Sequence, residues 1–404
     1  MDATTVPRSS MPTRPIPIET GGATGVTHAP PIRTTPAEKP TFQEGTMILL
    51  STPIRVALPL LCLLSLLACG GGGEGGNMET GGNTTTTPLV VETREESAES
   101  SRMSGESSED SPAEGDDFSF GPLDETLAFS FVSDLVAFGP HPAGSEALAE
   151  VRRYLRDRLE EFGIAVLSDP FTADTPIGPI EMENLIGVIP GRRSDLLLIG
   201  SHFDTKHFED FTFVGANDGC SSTGLLLEIG RVLAATPPPW TIWLVFFDGE
   251  EALVSWSETD SRYGSRHLVE RLDGEGSLAR VRALLLIDMI GDANLGIRKE
   301  GLSTPFLVEE TWALAERLGY GDVFLPGYLF IEDDHTPFLD AGIPAIDIID
   351  FRYGPGENSN AYWHTAQDTL DKLSPESLGI VGDTLLNLLP RLFSSFSAGS
   401  RPPR

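Results

Sequence analysis

Residues 241–251 read TIWLVFFDGEE, an apolar run that ends in two adjacent carboxylates, Glu250 and Glu251. A run of this length and composition is typical of a strand buried on both faces of a sheet. In an α/β sheet the carboxyl ends of such strands form the edge at which ligands bind. Burying two negative charges is costly unless a cation or protons compensate them. The stretch therefore predicts a central strand of an α/β sheet with a charged site at its end.

Acidic and histidine side chains accompany other strand-like runs in the same way. The residues concerned are His202 and Asp204 after 196–200, Asp218 in the glycine-flanked loop that follows, Asp288 after 284–287, and His364 in YWHT. Imidazole and carboxylate groups are ligands that zinc prefers in proteins. Because most of these positions fall at strand exits, the pattern predicts the site of a zinc hydrolase or transferase.

One folded domain is predicted over residues 122–398. Six stretches with helical periodicity alternate with five apolar or β-branched runs, which are 184–189, 195–200, 242–247, 283–289 and 345–349. Strands that alternate with helices predict a largely parallel sheet that is covered on both faces. We therefore expect an α/β fold of three αβα layers, with a largely parallel twisted central sheet and helices on both sides.

The front of the chain has a different composition. Residues 1–46 are rich in Pro and Thr, and we predict that they are disordered and lie upstream of the true start at Met47. Residues 47–69 are predicted to be a lipoprotein signal peptide, because an apolar run of about 13 residues ends in LLAC at Cys69. A transmembrane helix is the alternative, but it requires roughly 20 apolar residues. The expected product is an exported lipoprotein that is anchored to a membrane, on the periplasmic or cell-surface side, through Cys69.

A spacer is predicted between this signal and the folded domain. Residues 70–121 consist mainly of Gly, Thr, Ser and acid, with 12 Asp and Glu against 2 Arg. Such a segment buries too little apolar surface to offset its ordering entropy, so we expect it to be disordered. Residues 399–404 form a short tail. The chain carries a net charge of −32, which argues against nucleic acid or anionic lipid as a partner.

The ordered pattern HxD, D, EE, D and H resembles the M28 zinc peptidase superfamily. Within it, the chain is similar to the glutaminyl-peptide cyclotransferases (glutaminyl cyclases) over nearly all of residues 122–395. The stretches that carry this narrower resemblance are 174–178 with 184–186, 201–206 with 213–218, 246–268, and 331–338 with 363–365. The segment Trp256–His267 distinguishes best, because ordinary M28 aminopeptidases generally lack this Trp-containing insert.

The resemblance implies a role for each residue of the predicted site. The implied residues are Asp218, Glu251 and His364 as ligands of one zinc ion, Glu250 as general acid and base, Asp288 and Asp333 as a hydrogen-bonded pair of acids, and Trp256 and Trp363 as walls of the substrate pocket. The implied reaction converts the N-terminal glutamine of a peptide to pyroglutamate and releases ammonia. Its expected partners are therefore peptide or protein N-termini.

An M28 aminopeptidase that hydrolyses N-terminal residues is the alternative function. In the dinuclear aminopeptidases, residues that match His202 and Asp288 bind a second zinc ion, so the alternative implies two zinc ions. Asp347 leaves room for it, because the animal cyclases carry a histidine at this position. A metal-free binding lipoprotein on the same fold is a third possibility. It is disfavoured because every catalytic position is filled.

Overall fold

A six-stranded sheet is the centre of the computed structural model, which describes residues 119–356 and 359–397. Two further strands within the described residues form a separate small sheet. The strands, in chain order, are β1 (Ala165–Thr175), β2 (Gly178–Ile189), β3 (Arg193–His202), β4 (Trp240–Phe247), β5 (Val281–Asp288), β6 (Ile297–Glu300), β7 (Phe324–Leu329) and β8 (Ala345–Ile349).

The large sheet has the strand order β1-β2-β4-β3-β5-β8 and is mixed. Strands β4, β3, β5 and β8 pair in parallel, as the sequence predicts. The hairpin of β1 and β2 adds two antiparallel pairings, β1 with β2 and β2 with β4. Only Pro176 and Ile177 connect β1 to β2. A connection this short can join only antiparallel neighbours. The prediction of a largely parallel sheet is therefore correct for these four strands, and the hairpin extends the sheet at one side.

Helices cover both faces of the sheet. They are α1 (Glu125–Ala137), α2 (Glu146–Glu161), α3 (Cys220–Ala234), α4 (Tyr263–Gly274), α5 (Pro305–Leu318), α6 (Thr336–Asp340) and α7 (Pro375–Ser397). Alternate side chains of a strand point to opposite faces. In β3, Leu197 and Ile199 pack into the core shared with α1, α2, α3, α5 and α7, whereas Leu196 and Leu198 pack into the core with α4 and α6. The three-layer αβα prediction is confirmed.

The parallel strands bring their charged residues to one edge of the sheet. Strand β3 ends at His202, β5 ends at Asp288, and the segment that contains Glu250 and Glu251 follows β4 directly. Asp248, in the same segment, binds instead to α2 and β2 and so holds the start of this segment in place. Its Oδ2 accepts hydrogen bonds from Arg152 Nη2 at 2.6 Å and from the Glu183 amide at 2.8 Å.

The predictions for the front and the end of the chain concern segments outside the described residues. These are the disordered region 1–46, the signal 47–69 with Cys69, nearly all of the spacer 70–121, and the tail 399–404. Within the described ranges, none of the helices combines the length and the hydropathy that a membrane span requires.

Candidate active site

Three side chains from distant parts of the chain meet at the sheet edge. One ligand atom from each of Asp218, Glu251 and His364 lies within 4.8 Å of the other two. The His364 Nε2 atom is 3.3 Å from Asp218 Oδ2 and 3.1 Å from Glu251 Oε1. We call this group the open cluster, because its residues line a cavity that reaches the surface.

Asp204 positions the two consecutive glutamates. Its buried carboxylate accepts hydrogen bonds from the amide of Glu250 at 3.0 Å and from that of Glu251 at 3.3 Å. Gly249 precedes them with a φ of 70°, a left-handed conformation that glycine adopts without steric strain. Lys206 donates to the Glu251 Oε2 atom at 3.3 Å, so Oε1 is the oxygen that faces His364. The short turn after β4 therefore directs both carboxylates into the cavity.

Asp368 positions the third carboxylate. Its side chain accepts hydrogen bonds from the amides of Asn217 at 2.8 Å and Asp218 at 3.2 Å, and from the Tyr353 hydroxyl at 2.8 Å. Asp368 was not among the residues predicted from the sequence. The signal for it is weak, because a single aspartate four residues after His364 has no distinctive context until the loop folds against α3.

Aromatic rings fix the orientation of His364. Its backbone has a φ of 54°, an uncommon conformation for a residue with a side chain. The Trp363 ring stacks on the imidazole at a centroid distance of 4.0 Å, and the edges of Phe208 and Phe213 approach it at 5.6 and 5.7 Å. Three rings thus hold the imidazole against the two carboxylates.

A second group of potential ligands shares Asp218 with the open cluster. His202 Nε2 lies 3.3 Å from Asp218 Oδ1 and 3.2 Å from Asp288 Oδ1, and these ligand atoms also lie within 4.8 Å of one another. All three residues are buried, so we call this group the closed cluster. The structure thus assembles both ligand sets that the sequence suggested.

The residues of the open cluster fit a zinc ion. Asp218 Oδ2 is buried and has no hydrogen-bond partner among the described residues, although His364 Nε2 is close. Two carboxylates and one imidazole are ordinary zinc ligands, and three protein ligands leave one position free in a catalytic site. Burial acts to raise the pKa of Asp218, but its contacts with His202 and His364 lower it below the ordinary value. The carboxylate is therefore held in the ionised form that a cation binds.

Three further acids line the same cavity. Burial, followed by the nearby Asp333 carboxylate, raises the pKa of Glu250 well above its ordinary value. Burial likewise raises the pKa of Asp333, and it raises that of Asp288 to about 7 even though His202 opposes the shift. Asp288 is further fixed by the Met289 amide, which donates to its Oδ1 at 2.8 Å. The acids that the resemblance implied for proton transfer therefore share one buried environment.

The cavity has a volume of about 390 Å³ and a mainly apolar wall. Both predicted tryptophans line it: Trp363 lies beside His364, and Trp256 lies at the mouth, where the Arg262 guanidinium sits 5.4 Å from its ring centroid. The size suits one amino-acid side chain with its amino group, which the apolar wall and the buried acids would surround.

A second set of buried polar residues supports the cavity wall. The Glu300 carboxylate accepts hydrogen bonds from the amides of Leu302, Ser303 and Ile331, and it pairs with His335 Nε2 at 3.1 Å. Glu300 was not among the residues predicted from the sequence either. Asp347, the departure from the animal cyclases, is fully buried, and burial raises its pKa well above the ordinary value.

Comparisons with known proteins agree with this geometry. The model of peptidase family M28 matches residues 184–389. A mouse protein named glutaminyl-peptide cyclotransferase-like protein is 31% identical over 266 residues, which are 59% of this chain and 68% of the mouse protein. The solved structure of an Acidobacteriales bacterium glutaminyl cyclase superposes with a TM-score of 0.67 at 38% identity, covering 70% of this chain and all of that one.

A peptidase structure is similar as well. A Zn-dependent exopeptidase from Parabacteroides distasonis superposes with a TM-score of 0.61 at 28% identity, over 67% of this chain and 98% of that one. The family match begins within β2 and ends within α7, so it includes all the residues of the open cluster. The chain therefore belongs to peptidase family M28, within which it is similar to the glutaminyl-peptide cyclotransferases.

Proposed function

We propose that this chain is a zinc-dependent glutaminyl-peptide cyclotransferase, which converts the N-terminal glutamine of peptides to pyroglutamate and releases ammonia. The observation that carries the proposal is the convergence of the open cluster, Glu250 and Asp333 on one small cavity. The similarity to glutaminyl cyclases supports the choice of substrate.

In the proposed site, Asp218, Glu251 and His364 hold a single zinc ion. Bound zinc would supply Lewis acidity toward the γ-carbonyl oxygen of the substrate glutamine. The three ligands come from separate loops, so their arrangement depends on the intact fold. The cavity places the glutamine side chain beside them and leaves the rest of the peptide at the mouth.

Glu250 is proposed to move the proton. The substrate's α-amino nitrogen attacks the γ-carbonyl carbon and forms the ring C–N bond, and the bond from that carbon to the amide nitrogen breaks. The Glu250 carboxylate accepts the proton that the attacking nitrogen loses and donates it to the departing nitrogen, which leaves as ammonia. Atoms and charge balance without another reactant. Glu250 is suited to this role because it is buried beside the ligands and its backbone is held by Asp204.

Asp288 and Asp333 are proposed to stabilise the leaving nitrogen. Both line the cavity, and both have a raised pKa through burial. Two acids in such a site tend to share one proton, which gives the pair both a donor and an acceptor. Trp256 and Trp363 are proposed to form the walls that orient the substrate.

An M28 aminopeptidase is the second candidate, and the closed cluster favours it, because His202, Asp218 and Asp288 could hold a second ion. The deciding experiment compares cyclisation of glutaminyl-β-naphthylamide with hydrolysis of leucyl-nitroanilide by the purified zinc-loaded protein. We expect pyroglutamyl product and ammonia from the first and no cleavage of the second. Free amino acid released without any lactam would assign the chain to the aminopeptidases.

We also propose that the protein is exported and anchored through a lipid on Cys69. The proposal rests on the LLAC sequence after the apolar run and on the glycine tract that follows it. Mass spectrometry of the protein recovered from membranes should find a lipidated N-terminus at Cys69. A mature protein that begins upstream of Cys69 would contradict the proposal.

A further inference from the structure

Exposed apolar side chains concentrate around the mouth of the cavity. Among the described residues, the large hydrophobic side chains with the greatest exposure are Leu167, Ile177, Val254, Trp256, Leu302, Tyr328 and Phe330. Val254, Trp256 and Phe330 line the cavity. Tyr328 lies in β7, and Leu302 follows β6, the strand that pairs with β7. Exposed apolar groups that cluster in this way mark binding surfaces, whereas isolated ones are ordinary.

We call three of these exposed residues the apolar platform: Leu302, Tyr328 and Phe330, which lie on or directly after the paired strands β6 and β7. The Phe330 ring lies over Gly301, since a Cβ atom on that glycine would collide with the ring. Gly301 in turn donates a hydrogen bond to the Leu329 carbonyl at 2.7 Å. Phe330 is 74% exposed, although hydrogen bonds hold the backbone of both its neighbours, Leu329 and Ile331. An exposed ring on a fixed backbone is preorganised to bind a ligand.

The platform continues outward from the cavity along an extended chain. Exposure alternates from Tyr328 to Ile331, so that Tyr328 and Phe330 face the same side. In an extended chain such residues stand about 6.6 Å apart. Phe330 lines the cavity and Tyr328 does not, so Tyr328 lies farther from the site.

Two ion pairs lie beside the cavity, and Lys299 lies next to the platform, 5.8 Å from the Tyr328 ring centroid. Glu332 lies 3.4 Å from Arg262, and Lys206 is held by Glu251. Neither pair offers a free charge to a peptide that enters the cavity.

We propose that the apolar platform binds apolar side chains at the second and fourth residues of the peptide substrate, an inference that rests on the proposed function. The first residue fills the cavity, and the second then meets Phe330 and Val254 at the mouth. An extended peptide repeats its side-chain direction every two residues, with the same spacing of about 6.6 Å. Its fourth residue therefore reaches Tyr328.

The proposal is tested with four tetrapeptide amides: Gln-Ser-Ser-Ser, Gln-Phe-Ser-Ser, Gln-Ser-Phe-Ser and Gln-Ser-Ser-Phe. We expect Phe at position two to lower KM about tenfold, and Phe at position four about threefold, because part of each ring leaves water. Phe at position three should change KM by less than about twofold. The kcat should stay nearly constant, since contacts made equally before and during reaction change only KM.

Matched variants locate the effect. In Phe330→Ser the advantage of Phe at position two should disappear, and in Phe330→Leu most of it should return. In Tyr328→Ser only the advantage at position four should disappear. Ile177→Ser is the control, because Ile177 is 65% exposed but does not line the cavity.

Equal KM values for all four peptides would overturn the proposal, as would a preference that survives in Phe330→Ser. If Phe330→Ser instead abolishes a concentration-dependent dimer in sedimentation while the KM values stay equal, the platform is a surface for self-association. If no peptide yields pyroglutamyl product, the proposed function fails. In that case, calorimetry gives the dissociation constants of the same four peptides for the Glu250→Gln variant. Tighter binding of the peptides with Phe at position two or four would still show that the platform selects apolar residues.

Discussion

The open and closed clusters contain the same kinds of ligand and share Asp218, but they differ in access. Each has two carboxylates and one imidazole whose ligand atoms lie within 4.8 Å. The His364 side chain of the open cluster is 19% exposed, whereas the His202 side chain of the closed cluster is 2% exposed. His202 is in addition packed against Asp204, the residue that orients both glutamates.

The difference shows that ligand chemistry alone does not identify a substrate site. His202 is the residue that sets the closed cluster apart, because Asp218 and Asp288 also line the cavity and His202 does not. The closed cluster instead connects the ends of β3 and β5 through His202 and Asp288. We therefore expect changes in the open cluster to abolish metal binding and activity, and changes to His202 to act through the positions of Asp218 and Asp288.

The largest effect is expected from Glu251→Gln, which removes a charged ligand of the open cluster. Zinc affinity should fall by more than about 100-fold, because changes in residues that only support ligands already cost about 10- to 100-fold. Activity should be lost together with the metal. Metal analysis after dialysis and the cyclisation assay measure the two quantities. Glu332→Gln is the control, because that residue is exposed at the mouth; full zinc content in Glu251→Gln would contradict the assignment.

Glu250→Gln should reduce activity without removing the metal. The substitution preserves size and removes the proton acceptor, so kcat should fall by about 10²- to 10⁴-fold. Zinc content should remain near that of the wild type, because Glu250 is not part of either cluster. Single-turnover kinetics with metal analysis of the same samples checks both expectations. A kcat within a factor of a few of the wild type would exclude Glu250 as the general acid and base.

His202→Gln tests the closed cluster directly. If only the open cluster binds zinc, the stoichiometry stays at one ion per chain and kcat falls about 10- to 100-fold through displacement of Asp218 and Asp288. A decrease from two ions to one would instead show that the closed cluster holds a metal, as in the aminopeptidase alternative. Equilibrium dialysis followed by elemental analysis gives the stoichiometry.

The sequence predicted the parts of the molecule that local patterns determine. The apolar runs of β3, β4, β5 and β8 were recognisable because each is buried on both faces, and all four runs are strands in the structure. The charged residues at the ends of these runs then had to converge, because parallel strands end at the same edge. The meeting of Asp218, Glu251 and His364 was expected only from the resemblance to the glutaminyl cyclases, since neither Asp218 nor His364 lies at the end of one of these strands.

Other features depend on contacts between distant segments and left no local signal. Strand β1 contains Pro170 and many exposed side chains, which is compatible with its position at the edge of the sheet but not typical of a strand. Asp368 and Glu300 are ordinary acidic residues in the sequence. Their roles arise only when the Asn217–Asp218 amides and the Ile331 amide are brought to them by folding.

The smallest effect is expected for Glu300, a buried carboxylate outside both clusters. Burial acts to raise its pKa, but the hydrogen bonds from His335 and the Leu302 amide lower it from 4.5 to about 2. A carboxyl whose pKa is lower in the folded state stabilises the fold above its unfolded pKa, and this contribution is lost as the pH falls toward the folded value. Since one pKa unit corresponds to about 1.4 kcal/mol, Glu300 contributes at most about 3.5 kcal/mol at pH 7.

Glu300→Gln removes this titration. At pH 7 the free energy of unfolding of this variant should therefore be lower than that of the wild type, by up to about 3.5 kcal/mol. The difference in unfolding free energy between the two proteins should shrink as the pH falls from about 5 toward 2, because Glu300 becomes protonated. The other acids titrate in both proteins, so their effects largely cancel from this difference. Urea unfolding at several pH values between about 3.5 and 7 measures it, with Glu309→Gln on the exposed face of α5 as the control. A difference that stays constant with pH would mean that the glutamine side chain destabilises the fold through packing alone. Zinc content should be unchanged at pH 7, which separates this buried charge from those of the two clusters.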